Sequence, residues 1–583
     1  MNFIELANDF LKIEKTSSRL KMIEELAATF LKADPNEAQI IAYLAEGTLR
    51  PAYNSSQFNM ANKILLQVAA KILDLDLSVT TNLVKDYADI GEMVFQNKKN
   101  NYENLYTINY IYEKLIELEE ISGTGSVDLR INNLVNLIEN VSPIEAKYIL
   151  RIISGTLRLG FSTMTILDAL SHLVCGNKSL KVSFENSYNM CADIGLLAYN
   201  VKKYGESAPD HLTIKIGIPI APAAAERMES SQAIIEKIGP AVAQLKLDGF
   251  RLQIHLQKKD NKIIIKFFSR NLIDMSLMFP DLVDVIQKFE VESLICEGEA
   301  IVFDEQKNIF LPFQQTVKRK RKHNIAEVAQ DFPLRLYLFD VLYLNGKSCL
   351  DLTHKDRRKI LENLIPANQN KVFAIEERQV NNSEDLLSYF KEVISKNLEG
   401  LVVKKPLGYY IPGKRNFNWI KLKKHSQDTI SDTLDVVILG YYFGEGKRAS
   451  FGIGSFLVGV FNKSKDRFET IAKIGTGLSD QLLKELKIKC DALKIDNKPH
   501  DVVVDDGLKP DVWVKPEIVC VIKADEITRS PIHTAGFKDN QGYALRFPRF
   551  VDYRIDKSIY DCTTIKEVER LFYLQSLEKN NAS

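Results

Sequence analysis

Cysteine is sparse: seven stand at 175, 191, 296, 349, 490, 520 and 562 of 583 residues, and no two form a CxxC pair. That scatter excludes a zinc ribbon and a disulfide framework, and it fits a reducing cytoplasm. An excess of one charge is also missing, since 77 Lys and Arg face 76 Asp and Glu for a net charge of +1. The molecule as a whole is therefore no general polyanion binder, and any nucleic-acid surface must come from local segregation of charge. Long apolar runs are absent. The longest uncharged stretch, Ala449 to Asn462, is Gly-rich and falls short of the roughly 20 residues a membrane helix needs. The start Met1-Asn2-Phe3-Ile4-Glu5 has no basic flank followed by an apolar core, so a secretory signal is not expected. There is no internal repeat. The one biased tract, Lys318-Arg319-Lys320-Arg321-Lys322, reads equally as a localisation signal, a phosphate-binding strip or a solvated loop. What remains is ordinary: 45% hydrophobic and 26% charged residues exclude a disordered or collagen-like chain. At roughly 150 residues per domain the length predicts three or four domains.

Residues 1–205 read as all-helical. Ile131, Leu134, Val135 and Ile138 recur at the spacing of one buried helix face. Ser142-Pro143-Ile144-Glu145 supplies an N-cap, a first-turn proline and an N3 acid, and the helix it starts buries Ala146, Ile149, Leu150 and Ile153. Lys147, Arg151 and Arg158 fall on another face, with Gly155 among them. Such a stripe is either a solvated charged face, the commoner case, or a surface that a phosphate backbone can approach closely. Two prolines and a glycine in Ile216 to Pro222 predict an extended linker. From about 240 to 425 strand-like runs (Leu252–Leu256, Ile263–Phe267) alternate with helical stretches such as 383–396. From Val436 onward short apolar runs split by glycine predict a small β-barrel.

The chemistry concentrates in Lys246-Leu247-Asp248-Gly249-Phe250-Arg251, which follows the apolar run Ala241 to Leu245. A lysine with a pKa near ~10.4 is neutral in roughly one molecule in a thousand at pH 7. To act as a nucleophile it needs desolvation or neighbouring cations. Glu297-Gly298-Glu299 and Glu399-Gly400 add carboxylates beside other apolar strands. In Trp419-Ile420-Lys421-Leu422-Lys423 the two lysines share one strand face. Paired lysines make a clamp for a phosphate oxygen, and two carboxylates could hold Mg²⁺ beside it. Taken singly, a strand-end carboxylate is usually a surface residue and alternating lysines usually guard a sheet edge. Their joint occurrence in this order is harder to explain that way.

The ordered set resembles the covalent nucleotidyltransferases, and among them the ATP-dependent DNA ligases of the archaeal and eukaryotic replicative type. Lys246 to Arg251 is similar to motif I (KxDGxR), Glu297 to Glu299 to motif III and Leu338 to Gly346 to motif IIIa. Glu399 to Lys404 is similar to motif IV, Trp419 to Lys423 to motif V, and Leu545-Arg546-Phe547-Pro548-Arg549-Phe550 to motif VI. Arg151 to Gly160 is similar to the DNA-binding domain of those ligases. The resemblance implies a multidomain chain: an all-α DNA-binding domain at 1–205, an α+β nucleotidyltransferase (ATP-grasp-like adenylation) domain at 206–427, and a C-terminal β-barrel of the OB-fold at 428–583.

It further implies that Lys246 takes AMP from ATP, that Arg251 and Glu299 contact the ribose, and that Phe339 stacks on the adenine. Arg270 and Arg415 match arginines that contact the nucleotide or the 5′-phosphate. Lys421 and Lys423 neutralise the α-phosphate, Glu299 and Glu399 serve Mg²⁺, and Arg546 and Arg549 orient the departing pyrophosphate. Lys147, Arg151 and Arg158 would contact DNA. Two residues before the nucleophile the family usually has Glu, and here stands Gln244. Its amide can still accept a hydrogen bond from the adenine amino group, without a negative charge. The implied partner is nicked double-stranded DNA, bound without sequence preference by a monomer in the cytoplasm, at the nucleoid, with no membrane contact. The barrel would rotate about a hinge at Ser426 to Asp435. A sliding clamp is a further partner implied by the family; Gln96 to Tyr106 is a weak match to a clamp-binding motif. The competing readings are an RNA ligase or capping-type nucleotidyltransferase, an NAD-dependent ligase and a catalytically silent DNA-binding scaffold. The long helical N-terminal part and the RFPRF sequence argue against the first. The missing four-cysteine site argues against the second.

Overall fold

The computed structural model describes residues 1–583 except 17, 55–57, 88, 100–103, 156, 160–161, 229, 305–308, 312–315, 317–318, 320–328, 330, 367–368, 397, 424–432, 445, 555–556 and 582–583. The described chain falls into two compact units, 1–387 with 401–422, and 388–400 with 423–583. Residues 426–432 of the expected hinge, and 318 and 320–322 of the basic tract, lie outside the described residues. Arg319 of that tract is buried and ion-paired with Asp281, so it is neither a solvated nor a phosphate-binding residue.

The first unit opens with helices α1 (Phe3–Glu14), α2 (Arg19–Lys32), α3 (Pro35–Ala45), α4 (Asn62–Leu73), α5 (Leu77–Leu83), α6 (Ile90–Asn97), α7 (Ile108–Glu120), α8 (Ser126–Glu139), α9 (Pro143–Ile153), α10 (Thr163–Cys175), α11 (Lys181–Met190) and α12 (Ile194–Tyr204). Two of them start as their sequence dictates: Asp34 with Glu37, and Ser142 with Glu145, form reciprocal capping boxes with Pro at the first helical position. Ile131, Leu134 and Ile138 on α8 are buried in the helical core, with Val135 packed at its margin. α12 lies close on α3: a Cβ at Gly195 would sit 2.3 Å from the Tyr43 ring. The Tyr43 hydroxyl donates to Asp193, the α12 N-cap, at 2.8 Å.

No regular element runs between Leu212 and Ala223, and the expected linker is stitched down on both sides. Ala192 N–H donates to Pro219 O (3.0 Å) and Ala221 N–H to Asn189 O (2.8 Å) on the helical side. Ile220 exchanges hydrogen bonds with the buried Gln253 amide at 2.8 and 2.9 Å on the other. The linker is therefore part of the core.

The rest of this unit is two sheets. One orders β1 (Ala224–Arg227), β12 (Arg415–Lys423), β11 (Gly400–Lys404), β2 (Ala241–Lys246) and β10 (Glu377–Val380). The other is built on β4 (Lys262–Ser269), β3 (Phe250–Lys259), β5 (Ser293–Asp304), β7 (Leu334–Leu344) and β8 (Lys347–Ser348). β6 (Ile309–Phe310) pairs with β5, and β9 (Val372–Ala374) with β7. α13 (Ser231–Ile238), α14 (Pro280–Ile286), α15 (His354–Leu364) and α16 (Ser383–Ser395) lie between these strands in sequence. Leu252, Ile254 and Leu256 project to one core from β3, while Gln253 and His255 are buried on its other face. The short turn Leu247–Gly249 carries the chain from β2 in the first sheet to β3 in the second, so Lys246 stands where the two sheets meet.

The second unit is strand-rich. β13 (Leu434–Tyr442) pairs with β14 (Ser455–Asn462), β18 (Val512–Val514) and β19 (Val519–Lys523). β14 continues to β15 (Arg467–Ile474) and β17 (Val502–Val503). β16 (Lys494–Ile495) joins β18, and β23 (Arg549–Tyr553) joins β19. β20 (Glu526–Ser530), β22 (Gln541–Arg546) and β21 (Ala535–Lys538) form a separate three-stranded sheet. The alternation along β13 divides two cores: Leu434, Val436 and Ile438 pack into one, Val437 and Leu439 into the other. α17 (Asp480–Asp491) and α18 (Ile565–Asn581) complete the unit. Among the described residues no helix is long and apolar enough to cross a membrane.

Candidate active site

Lys246 ends β2, half-buried, and the turn that follows folds against β5. The Gly249 N–H donates to Glu299 Oε1 at 3.1 Å. Glycine is required there by space: a Cβ would meet the backbone oxygen of Ala300 at 2.4 Å. Across the β3–β5 ladder Arg251 stands opposite Glu299. Burial pushes the Glu299 carboxyl up to about 7, against the opposing charges of Lys246 and Arg251 and the Gly249 hydrogen bond, with Asp248 adding to the rise. Lys246, Asp248, Arg251 and Glu299 thus share one electrostatic environment.

Arg251 is fixed by Glu297 and by two groups the sequence had not singled out, Ala223 and Tyr410. Its guanidinium donates to Glu297 Oε2 and to Ala223 O, each at 2.8 Å. The buried Tyr410 hydroxyl donates to the same Glu297 oxygen at 3.0 Å and accepts from Ala223 N–H at 2.9 Å. Arg251 stays charged, its pKa raised despite burial by the Glu297 carboxylate. Its guanidinium lies 5.4 Å from the Phe339 ring centre and 5.6 Å from that of Trp419. Glu297, two residues from Glu299 and on the same face of β5, is the arginine's anchor.

A second buried cluster lies behind Phe339. Asp340 on β7 accepts from Arg357 of α15 at 2.6 and 3.2 Å, and Lys404 of β11 stands 3.6 Å away. Burial alone would raise the Asp340 carboxyl, but Arg357 and Lys404 hold it at about 2. Lys404 donates to Phe339 O at 3.0 Å, and its ammonium lies 4.2 Å from the Trp419 ring centre. Burial lowers it to about 8, opposed by Asp340 and Glu377. Glu377 accepts from Gln244 Nε2 at 2.7 Å and faces His354 Nε2 at 2.8 Å. Its carboxyl lies below the usual range: burial acts to raise it, and His354, Arg358 and Gln244 together outweigh that. One signal in the sequence pointed here, an aspartate inside the apolar run Leu336 to Leu344, because a buried carboxylate must be matched.

The other expected residues are spread out. Arg270 follows β4 and Arg415 opens β12, both exposed. Lys421 and Lys423 alternate with the buried Ile420 and Leu422 as the pattern predicts, and Lys423 is ion-paired with Glu399. In the second unit Arg546 lies 3.5 Å from Glu526, and Arg549 pairs with Asp525. Among the described residues no three His, Cys, Asp or Glu side chains form a ready-made metal cage. Magnesium nonetheless fits a desolvated carboxylate such as Glu299, because a hard cation that keeps waters and phosphate oxygens needs only one or two protein carboxylates.

The basic stripe is corrected. All ten residues from Ile144 to Ile153 on α9 are buried, Lys147 and Arg151 included. Lys147 pairs with Glu14 (3.0 Å) and Glu92 (2.7 Å), and Arg151 with Glu14 (2.9 Å) and Asp89 (3.0 Å). The acids come from α1, α6 and the α6 N-cap, so the two cations are consumed inside the helical part and are not offered to DNA. Arg158 lies beyond the end of α9 in a left-handed conformation (φ 57°), about 38% exposed and 2.9 Å from Asp89.

Comparison with known proteins agrees over nearly the whole length. Residues 2–171 match a family model described as DNA ligase N terminus, 222–423 one described as ATP dependent DNA ligase domain, and 449–557 one described as ATP dependent DNA ligase C terminal region. A probable DNA ligase of Dictyoglomus turgidum is 42% identical over 582 residues, covering 99% of both chains. A DNA ligase of Sulfurisphaera tokodaii is 36% identical over 601 residues, covering 99% of this chain and 98% of its own. The solved structure Pmar-Lig_PreS3 superposes with a TM-score of 0.55 at 16% identity over 94% of this chain and 99% of its own, a likeness of fold.

Proposed function

The chain belongs to the ATP-dependent DNA ligases, enzymes that seal nicks in duplex DNA with ATP, and from that premise we propose how its residues divide the work. The neutral Lys246 amine attacks the α-phosphorus of ATP; a P–N bond forms, and pyrophosphate leaves with the electrons of the broken P–O bond. A 5′-phosphate oxygen at the nick then attacks the same phosphorus and frees the lysine. The 3′-hydroxyl finally attacks the activated 5′-phosphate, joins the strand and releases AMP. Each step moves negative charge through phosphorus, so positioning and cationic stabilisation carry the catalysis.

In this reading Arg251, fixed by Glu297 and Tyr410, and Glu299 hold the ribose. Phe339 stacks on the adenine, and Gln244 meets its amino group. Arg270 and Arg415 hold the nucleotide or the 5′-phosphate, Lys421 and Lys423 neutralise the α-phosphate, and Arg546 and Arg549 orient pyrophosphate. Glu299 and Glu399 are the residues that would hold magnesium, which when bound supplies further charge neutralisation at the phosphates. Lys423 must give up part of its ion pair with Glu399 to do so.

Residues 1–205 act as the DNA-binding domain, 206–427 as an ATP-grasp-like adenylation domain and 428–583 as an OB-fold. The enzyme acts as a monomer on nicked duplex DNA at the cytoplasmic nucleoid, with a sliding clamp as a further partner. The observation that carries the site is Lys246 at the junction of two sheets, electrostatically coupled to Glu299 beside a fixed Arg251. The test is incubation with labelled ATP, GTP and NAD in turn, then a chase with nicked DNA. ATP alone should label the protein, and the label should pass to DNA; an unlabelled protein would make the chain a silent DNA-binding member of its family.

A further inference from the structure

Gln244 stands two residues before Lys246, and the fold gives it a charged neighbour. Gln244 on β2 and Glu377 on β10 are opposed across an antiparallel ladder, 133 residues apart in sequence. The Gln244 side chain is buried, with 1% of the residue exposed. Its Nε2 and the His354 Nε2 both meet the same oxygen of Glu377, at 2.7 and 2.8 Å. An ionised carboxylate only accepts, so the amide must turn its NH₂ end toward Glu377, and the imidazole must carry its proton on Nε2. The two ends of an amide point apart. Gln244 Oε1 is therefore turned away from Glu377, and Gln244 lies on the same face of β2 as Lys246, two residues on.

We propose that Glu377 is a positioning residue for base selection, locking the Gln244 amide with its carbonyl oxygen as an acceptor for a 6-amino purine. This rests on the reading of Lys246 as the adenylated residue and names what decides its substrate. Adenine offers a donor at position 6, whereas hypoxanthine and guanine offer a carbonyl oxygen, and two acceptors cannot bond. Unaided, glutamine could not discriminate, because its nitrogen and oxygen ends are nearly the same shape and exchange by a half-turn of the amide. Glu377 removes that freedom.

The test measures transfer of AMP and IMP from α-labelled ATP and ITP to the full-length protein. Wild type, Glu377→Gln, Gln244→Met and the double variant are compared, each with its melting curve. In Glu377→Gln the ATP-to-ITP ratio of kcat/KM should fall about tenfold. The loss should lie in the ATP KM, with kcat within about twofold and a KM for purine riboside triphosphate, which lacks any 6-substituent, unmoved. Gln244→Met should lose the same discrimination, and the double variant should lose no more, since Glu377 acts through Gln244. ATP and ITP falling together in Glu377→Gln, or losses that multiply in the double variant, would overturn the proposal. If Glu377→Gln does not fold, Gln244→Met decides: an unchanged ATP-to-ITP ratio there overturns it equally. A wild type that takes no label from ATP instead strikes at the site reading itself.

Discussion

Alanine at Gly249 is the sharpest single test of the site's geometry. The added Cβ would stand 2.4 Å from the carbonyl oxygen of Ala300 and 3.0 Å from its carbonyl carbon. Ordinary van der Waals contact begins near ~3.4 Å, so about 1 Å of separation must be found. Ala300 cannot provide it, because β5 is hydrogen-bonded between β3 and β7 and Ala300 is fully buried. The turn Leu247–Gly249 must give instead. It takes with it the Gly249 N–H bond to Glu299, now 3.1 Å, and shifts Lys246 directly upstream. A misplacement of about 1 Å costs on the order of 10²-fold in rate, and overpacking costs roughly 1–3 kcal/mol of stability. The assay is single-turnover transfer of label from α-labelled ATP to the protein, with a melting curve on the same sample. Labelling should slow about 100-fold in a protein that still folds. Gly298→Ala is the graded control: its Cβ would meet the Leu336 and Leu338 methyls and Tyr337 O at 2.9–3.0 Å, and side-chain rotation relieves most of that. It should slow labelling less than tenfold. A folded Gly249→Ala protein labelled within about threefold of wild type would show that the turn does not set the position of Lys246.

Lys246→Ala should take no label from ATP, and covalent labelling of that variant would remove the role given to the lysine. Arg357→Met should cost about 3 kcal/mol in chemical denaturation, because it strips the bidentate partner from an Asp340 that is fully buried; a cost below about 1 kcal/mol would mean Lys404 compensates alone. Lys147→Met should destabilise the helical part while leaving the salt dependence of nick binding unchanged, and a slope reduced by about one would return Lys147 to the DNA surface. Gly413→Ala, at φ +68° with its Cβ 2.3 Å from Asn189 Oδ1, should lower the melting temperature by several degrees. Asn189→Ala in the same protein should recover part of that loss, and no recovery would mean the strain is all backbone.

What was legible in the sequence was what is local. A capping box is four consecutive residues, and Ser142 to Glu145 forms the one their chemistry predicts. A strand's alternation is equally local, so Lys421 and Lys423 fall on the face opposite Ile420 and Leu422. Pairing across long loops was not legible. The acids that neutralise Lys147 and Arg151 come from residues 14, 89 and 92, and periodicity reads any cation as facing water unless its partner is known. The same blindness hid Glu377, whose partner Gln244 lies on a strand adjacent only in space. The basic tract stayed open in the sequence for another reason: composition cannot separate Arg319, which is buried on Asp281, from its neighbours.

The buried charges also explain why one carboxylate stands apart. Asp340 is held at about 2 by Arg357 and Lys404, and Glu377 is held below the usual range by the donors and cations around it. Glu297 takes hydrogen bonds from Arg251 and Tyr410. Each of these acids is matched within the protein, as burial of a charge requires. Glu299 is not matched to the same degree: burial outweighs the Lys246 and Arg251 charges and the Gly249 N–H, and its carboxyl rises to about 7. The fold thus pairs three acids closely and leaves the fourth, beside Lys246, with burial outweighing its partners.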